Sequence, residues 1–219
     1  MRDKIVHGYV FAGGQSSRMG RDKAHLQLAG TTLAQRAVDK LALVAADVHL
    51  CGWNSAEHAP APVIADALEN AGPLAALVSA LEHAHTQHPN SLAIVLAVDL
   101  PLIPWQLLEW LVQRAQLTGA WATVPIVEDR PQPLCAVYSS KLAQPLRECL
   151  MAGERKLMRA LETACPAEKL GKLGKFDRFA LADVLTHPRR DALPVWFMNV
   201  NTPEDLAAAE LANRNPHVW

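Results

Sequence analysis

Leu92-Ala93-Ile94-Val95-Leu96-Ala97-Val98-Asp99 decides how this chain is read. Seven apolar residues are too few for a typical helix, and an unbroken run of that length is how a strand buried on both faces of a parallel sheet is written. The run closes on an aspartate, and Pro101 and Pro104 shape its exit. Working outward, Leu107, Leu108, Leu111 and Val112 mark the next helix. Upstream, Gly72-Pro73 opens a helix with proline at its first position, and Leu74, Leu77, Val78 and Leu81 form its buried stripe. A first strand is expected at His7 to Ala12, a helix from about Thr32 to Ala45, a second strand at Val48 and Leu50, and a short third at Val63-Ile64 ending at Asp66.

Downstream, Ala120 to Val124 and Leu134 to Tyr138 read as strands. Gly153 ends a helix through Leu146 and Leu150, and Leu157 and Leu161 fall on another. Cys165 to Pro194 has no clear period and its fold stays open; Val195 to Met198 returns to strand character. Thr202-Pro203-Glu204-Asp205 is a helix start, with threonine as cap, proline at N1 and acids in the first turn. Strands alternating with helices from end to end give an α/β fold with a mainly parallel sheet, and residues 1–219 are expected to form a single domain.

Composition narrows the function. The 219 residues are 50% hydrophobic and 20% charged, with a formal net charge of −1, so a core is available and no global positive field recruits nucleic acid. The longest apolar run falls far short of the ~20 residues a membrane span needs. The start lacks the pattern of a signal peptide, and Cys51, Cys135, Cys149 and Cys165 lack any zinc or CxxC spacing, which fits reduced thiols and a cytoplasmic location.

The segment Phe11-Ala12-Gly13-Gly14-Gln15-Ser16-Ser17-Arg18-Met19-Gly20-Arg21-Asp22-Lys23 follows the first strand, where an open α/β sheet presents its ligand crevice. Glycines let backbone N–H groups approach phosphate oxygens, and Arg18 and Lys23 are suited to neutralising a triphosphate. A solvated loop with a tight turn is the alternative. Asp99 has two readings: a strand-end Mg2+ ligand facing phosphates, or a turn residue capping the next helix. Asn199 and Asn201 fall on one face if the Val195 strand continues through them, and either read a phosphate, ribose or pterin edge or form a turn before Thr202. Arg155 and Lys156 either grip a phosphate or begin a solvated helix.

The whole string resembles the signature of nucleotidyltransferases, most closely the molybdenum cofactor guanylyltransferases, whose loop reads loosely Leu-Ala-Gly-Gly-x-Ser-x-Arg-Met-Gly-x-Asp-Lys. Only Phe11 departs. Gly72-Pro73-Leu74-Ala75, Asp99-Leu100-Pro101, Gly153-Glu154-Arg155 and Asn199-Val200-Asn201-Thr202-Pro203-Glu204-Asp205 resemble further elements of that family, in order. Departures are Cys51 in place of a frequent Asn, Ala76 in place of a second Gly, and the length of the segment from Cys165 to Pro194.

The resemblance implies a three-layer, Rossmann-like fold of the nucleotide-diphospho-sugar transferase type. It implies transfer of GMP from GTP to the phosphate of molybdenum-molybdopterin, with Arg18, Lys23 and Asp99 catalytic and Mg2+ on Asp99. Nucleotide binding falls to Phe11, Ala12, Gly13, Gly14, Lys23, Cys51, Asp66, Gly72 and Asp99, and acceptor binding to Arg155, Asn199 and Asn201. Partners are GTP, the molybdopterin cofactor, and proteins that deliver it and receive it. Gly13-Gly14 and the asparagine pair favour guanine over the cytidylyl branch. A cytidylyltransferase, a sugar-phosphate nucleotidyltransferase and a non-catalytic nucleotide-binding regulator remain alternatives.

Overall fold

The structure, a computed structural model, describes residues 4–13, 23–53, 58–68, 71–165, 175–186 and 189–214. Its strands are β1 (Val6–Phe11), β2 (Gln27–Leu28), β3 (Thr31–Thr32), β4 (Asp47–Cys51), β5 (Val63–Ile64), β6 (Leu92–Ala97), β7 (Ala122–Val127), β8 (Arg130–Pro131), β9 (Cys135–Ser139) and β10 (Phe176–Ala180). Its helices are α1 (Leu33–Leu41), α2 (Pro73–Gln87), α3 (Trp105–Thr118), α4 (Ala143–Met151), α5 (Leu157–Ala164), α6 (Leu181–Val184), α7 (Leu193–Trp196) and α8 (Pro203–Asn213). The main sheet runs β10-β7-β9-β6-β1-β4-β5, with β8 paired to β7 at one side, and β2-β3 is a separate hairpin.

All six residues of β6 are buried, as the apolar run requires. Leu92, Ile94 and Leu96 enter the apolar layer beneath α1 and α3, while Ala93 and Val95 enter the opposite layer beneath α2 and α4. β6 pairs in parallel with β1, and β1 with β4. The chain leaves β1 toward β4 by way of α1 and returns by way of α2 to the other side of β1. That reversal makes the carboxyl ends of β1 and β6 the switch point where ligands of such sheets bind.

The sheet is not wholly parallel: β9 runs antiparallel to both β6 and β7. The unassigned stretch contains β10, parallel to β7 at the edge. Its inward-facing Asp177 is held by Arg114 of α3 at 2.7 and 2.9 Å, and the guanidinium also lies 3.9 Å from the Phe179 ring. A charge on an inner face breaks the alternation that reveals strands. The strand expected at Val195 to Met198 is not one: Leu193–Trp196 is a helical turn. Pro194 sets a helical φ there, and Trp196 packs into the α1-side layer instead of extending an edge. Asn199 and Asn201 therefore do not share a strand face.

On the α2 side, four histidines gather at the amino-terminal end of β1 and β4. Buried His7 bonds Asp47 at 2.9 Å, His88 Nδ1 lies 3.2 Å from His7 Nε2, Tyr9 Oη lies 2.9 Å from His83 Nδ1, and the His49 and His83 rings are 4.4 Å apart. Burial lowers the pKa of His49, with His7 adding to the effect and Asp47 opposing it. Burial likewise lowers that of His83, aided by His49 and His7 against Asp47. The unfolded chain thus binds more protons below the ordinary histidine value of about 6.5, and stability present above that pH is lost as pH falls through it. Urea midpoints from pH 8 to pH 5 should decline, and His49→Gln with His83→Gln should flatten the decline. An unchanged slope assigns the pH dependence elsewhere.

Candidate active site

β1 ends with Phe11 and Ala12 buried and Gly13 exposed. Ala12 N–H donates to Cys51 O at 2.9 Å, carrying the β1–β4 ladder one step beyond the strands. Gly13 and Gly52 then pass so closely that a Cβ on Gly52 would lie 2.8 Å from Gly13 N and Cα, and Gly52 has φ +72°. The Gly52 N–H donates to Asp66, whose carboxyl is raised first by burial and lowered by that bond. Asp66 Oδ1 is buried without a partner among the described residues. Cys51 takes a different place from the one expected: its side chain is fully buried in the apolar layer beneath α2, so the strand offers the crevice backbone rather than a thiol. Gly72 adopts φ +73° as the cap of α2, which puts the amino-terminal end of a 15-residue helix at the same edge of the sheet.

Asp99 lies just past β6. Burial raises its carboxyl, and the nearby Lys23 ammonium draws it down. Lys23 Nζ donates to Asn201 Oδ1, bridging 178 residues of sequence. Val200 N–H donates to Asp99 O at 2.9 Å. Lys23, Asp99 and Asn201 are thus brought together from three separate parts of the chain. The turn that delivers Asn201 is fixed by a capping box: Thr202 Oγ1 accepts from Asp205 N, and Asp205 Oδ2 accepts from the N–H groups of Asn201 and Thr202, both at 2.9 Å.

Not every expected residue joins them. Asn199 is exposed, and among the described residues its amide donates only to Phe197 O, two positions back, at 3.5 Å. Arg155 sits in the turn between α4 and α5, where its guanidinium donates to Leu150 O and Glu154 O at 2.8 Å. Glu154 in turn accepts from the N–H groups of Arg155 and Lys156, so Gly153-Glu154-Arg155 closes one helix and opens the next. Gly14 and Arg18 lie outside the described residues. Gly52 went unnoticed in the sequence; its one signal was a glycine immediately after a strand.

A lysine and a half-buried aspartate close together at the switch point of a mainly parallel sheet, beside a glycine-ended strand, suit a nucleoside triphosphate and its counter-ion: the class is that of the nucleotidyltransferases. The chain belongs to the MobA-like NTP transferase family, whose domain model matches residues 8–166. It is 40% identical over 167 residues to a probable molybdenum cofactor guanylyltransferase of Mycobacterium tuberculosis, covering 74% of this chain and 82% of that one. It is 30% identical over 206 residues to a molybdenum cofactor guanylyltransferase of Rhizobium johnstonii, covering 94% and 91%. Among solved structures, molybdopterin-guanine dinucleotide biosynthesis protein A from Archaeoglobus fulgidus shares the fold with a TM-score of 0.74 at 24% identity, covering 94% of this chain and 98% of that one.

Proposed function

We propose that the chain transfers GMP from GTP to the terminal phosphate of molybdopterin carrying molybdenum, forming the guanine dinucleotide cofactor and pyrophosphate. Beyond family membership, the observation that carries this reading is the meeting of Lys23, Asp99 and Asn201 at the switch point. An oxygen of the acceptor phosphate attacks the α-phosphorus of GTP in line, and the bond from that phosphorus to the bridging oxygen of the β-phosphate breaks. A phosphate monoester is already a nucleophile near neutral pH, so positioning and charge neutralisation carry the catalysis, with no protein nucleophile needed.

In this reading the backbone of Ala12 and Gly13 lies against the nucleotide, Lys23 neutralises the departing pyrophosphate, and Asn201 holds Lys23 in place. Gly14 and Arg18 extend the loop's contribution. Phe11 and Cys51 support the crevice from beneath, and Asp66 and Gly72 line it. Asn199, Asn201 and Arg155 stay assigned to the acceptor; at present Arg155 gives its Nη1 to two carbonyls and Asn199 its amide nitrogen to one. A half-buried carboxylate whose cationic neighbour among the described residues is Lys23 fits a hard divalent ion, and Mg2+ takes only one or two carboxylates beside phosphate oxygens. Asp99 would hold Mg2+, which when bound offsets charge on the phosphates. The four free thiols suit a cytoplasmic setting, where the cofactor passes from a delivery protein to molybdoenzymes.

The test is pyrophosphate release with molybdenum-molybdopterin and each of GTP, CTP, ATP and UTP, beside melting with each nucleotide and Mg2+. GTP alone should support release, and at 100 times its Kd should stabilise the fold by about 2.7 kcal/mol. Preference for CTP moves the chain to the cytidylyl branch. Binding without release with any acceptor makes it a non-catalytic binder.

A further inference from the structure

The turn that carries Asp99 is held by a side chain from another element. Pro101 is buried, as are Leu100 and Leu102 on either side of it. The turn's own backbone bonds run from Leu100 N–H to Ala97 O and from Ile103 N–H to Leu100 O, and neither serves the Pro101 carbonyl. A buried carbonyl needs a donor. Lys40 Nζ, from the last turn of α1 and 61 residues away in sequence, donates to it at 2.5 Å.

Lysine is a costly choice for that place. Burial pushes its ammonium down to about 7, Arg36 pushes in the same direction, and Cys135 of β9 opposes. Among the described residues it forms no salt bridge. An apolar side chain would pack against this layer without that desolvation, unless the carbonyl above it has to be held.

We propose that Lys40 is a positioning residue: its bond to the Pro101 carbonyl sets where the Asp99–Pro101 turn stands over the sheet, and through it where the Asp99 carboxylate meets the metal-bound nucleotide. The proposal rests on the assignment of Asp99 to that role. The Pro101 carbonyl lies two positions along the chain from the Asp99 carboxylate, and Val200 N–H holds the Asp99 carbonyl, so the turn is clamped by α1 and by the segment before α8. Releasing one jaw moves the carboxylate while leaving every group that touches substrate intact.

Lys40→Met keeps the length and bulk of the side chain but removes the donors, and Lys40→Arg keeps donors on a longer stem. Three quantities are read on the full chain: amide exchange at Leu100, Leu102 and Ile103, the Mg2+ concentration that half-saturates stabilisation by GTP, and kcat/KM. In Lys40→Met exchange should rise about tenfold or more. The Mg2+ requirement should rise several-fold, and kcat/KM should fall by about 10- to 100-fold, as a displacement near 1 Å can do. Lys40→Arg should recover most of each. A Lys40→Met chain that melts lower yet keeps wild-type exchange in the turn and a wild-type Mg2+ requirement overturns the proposal. Should Lys40→Met fail to fold, Lys40→Gln, which retains a donor but lacks the reach, carries the same comparison. A wild-type chain inert toward GTP and Mg2+ overturns the reading of the site itself, and is told apart because failure of the tether alone leaves the wild type active.

Discussion

Asp99→Asn is expected to lower Mg2+-dependent pyrophosphate release by at least about a hundredfold, the scale of losing one preorganised electrostatic partner of a reacting group. The fold should survive. Burial already disfavours the charged form of Asp99, so a neutral side chain of the same shape relieves desolvation, and Asn forms turns as readily as Asp. The bond that fixes this turn to Val200 uses the main-chain carbonyl and is unaffected. The melting temperature should therefore match or exceed that of the wild type while turnover collapses. Near-normal release in a folded Asp99→Asn variant removes the residue from the metal site, and a large fall in melting temperature makes its role structural.

Gly52→Ala should damage the nucleotide crevice from a residue that presents no side chain at all. With φ at +72°, any Cβ is strained, at a cost of about 1–3 kcal/mol. This one would also sit 2.8 Å from the Gly13 backbone, so the ends of β1 and β4 must part. The Gly52 N–H held by Asp66 moves with them. At roughly 2–4 °C per kcal/mol for a chain of this size, melting should fall by about 2–12 °C from the strain alone. KM for GTP should rise tenfold or more. Gly30→Ala is the control, because Gly30 has φ +81° with open space where its Cβ would be. It should share the torsional cost and keep GTP use intact. Equal behaviour of the two variants would show that the close approach of the strands has no bearing on the nucleotide.

What could be read in the sequence was whatever depends on local physics. The Leu92 to Val98 run announced the central strand because both faces of β6 are apolar, and Thr202-Pro203-Glu204-Asp205 announced α8 because a capping box lies within four residues. Lys23, Asp99 and Asn201 were each marked, although nothing local says that Lys23 reaches Asn201. The features that escaped are tertiary. Asp177 hid β10, since an inward charge is tolerable only with Arg114 63 residues earlier to meet it. Val195 and Trp196 fit a strand or a helical turn equally, and packing against the α1-side layer chose the turn. Gly52 matters because Gly13 passes over it, and nothing local marks Lys40, whose partner, the Pro101 carbonyl, lies 61 residues away.

The contact of Val200 and Asn201 with Asp99 and Lys23 gives the protein a birth order. Asp99 leaves the ribosome 102 residues before Asn201, which at about 5–20 residues per second is an interval of about 5–20 s. By its start β1, β4, β5 and β6 are already synthesised, yet the Asp99 carbonyl awaits Val200 and the ammonium of Lys23 awaits its amide. Catalytic competence should arrive last, with the docking of the stretch before α8, so a nascent chain stalled short of that stretch should hold a folded sheet and turn over nothing.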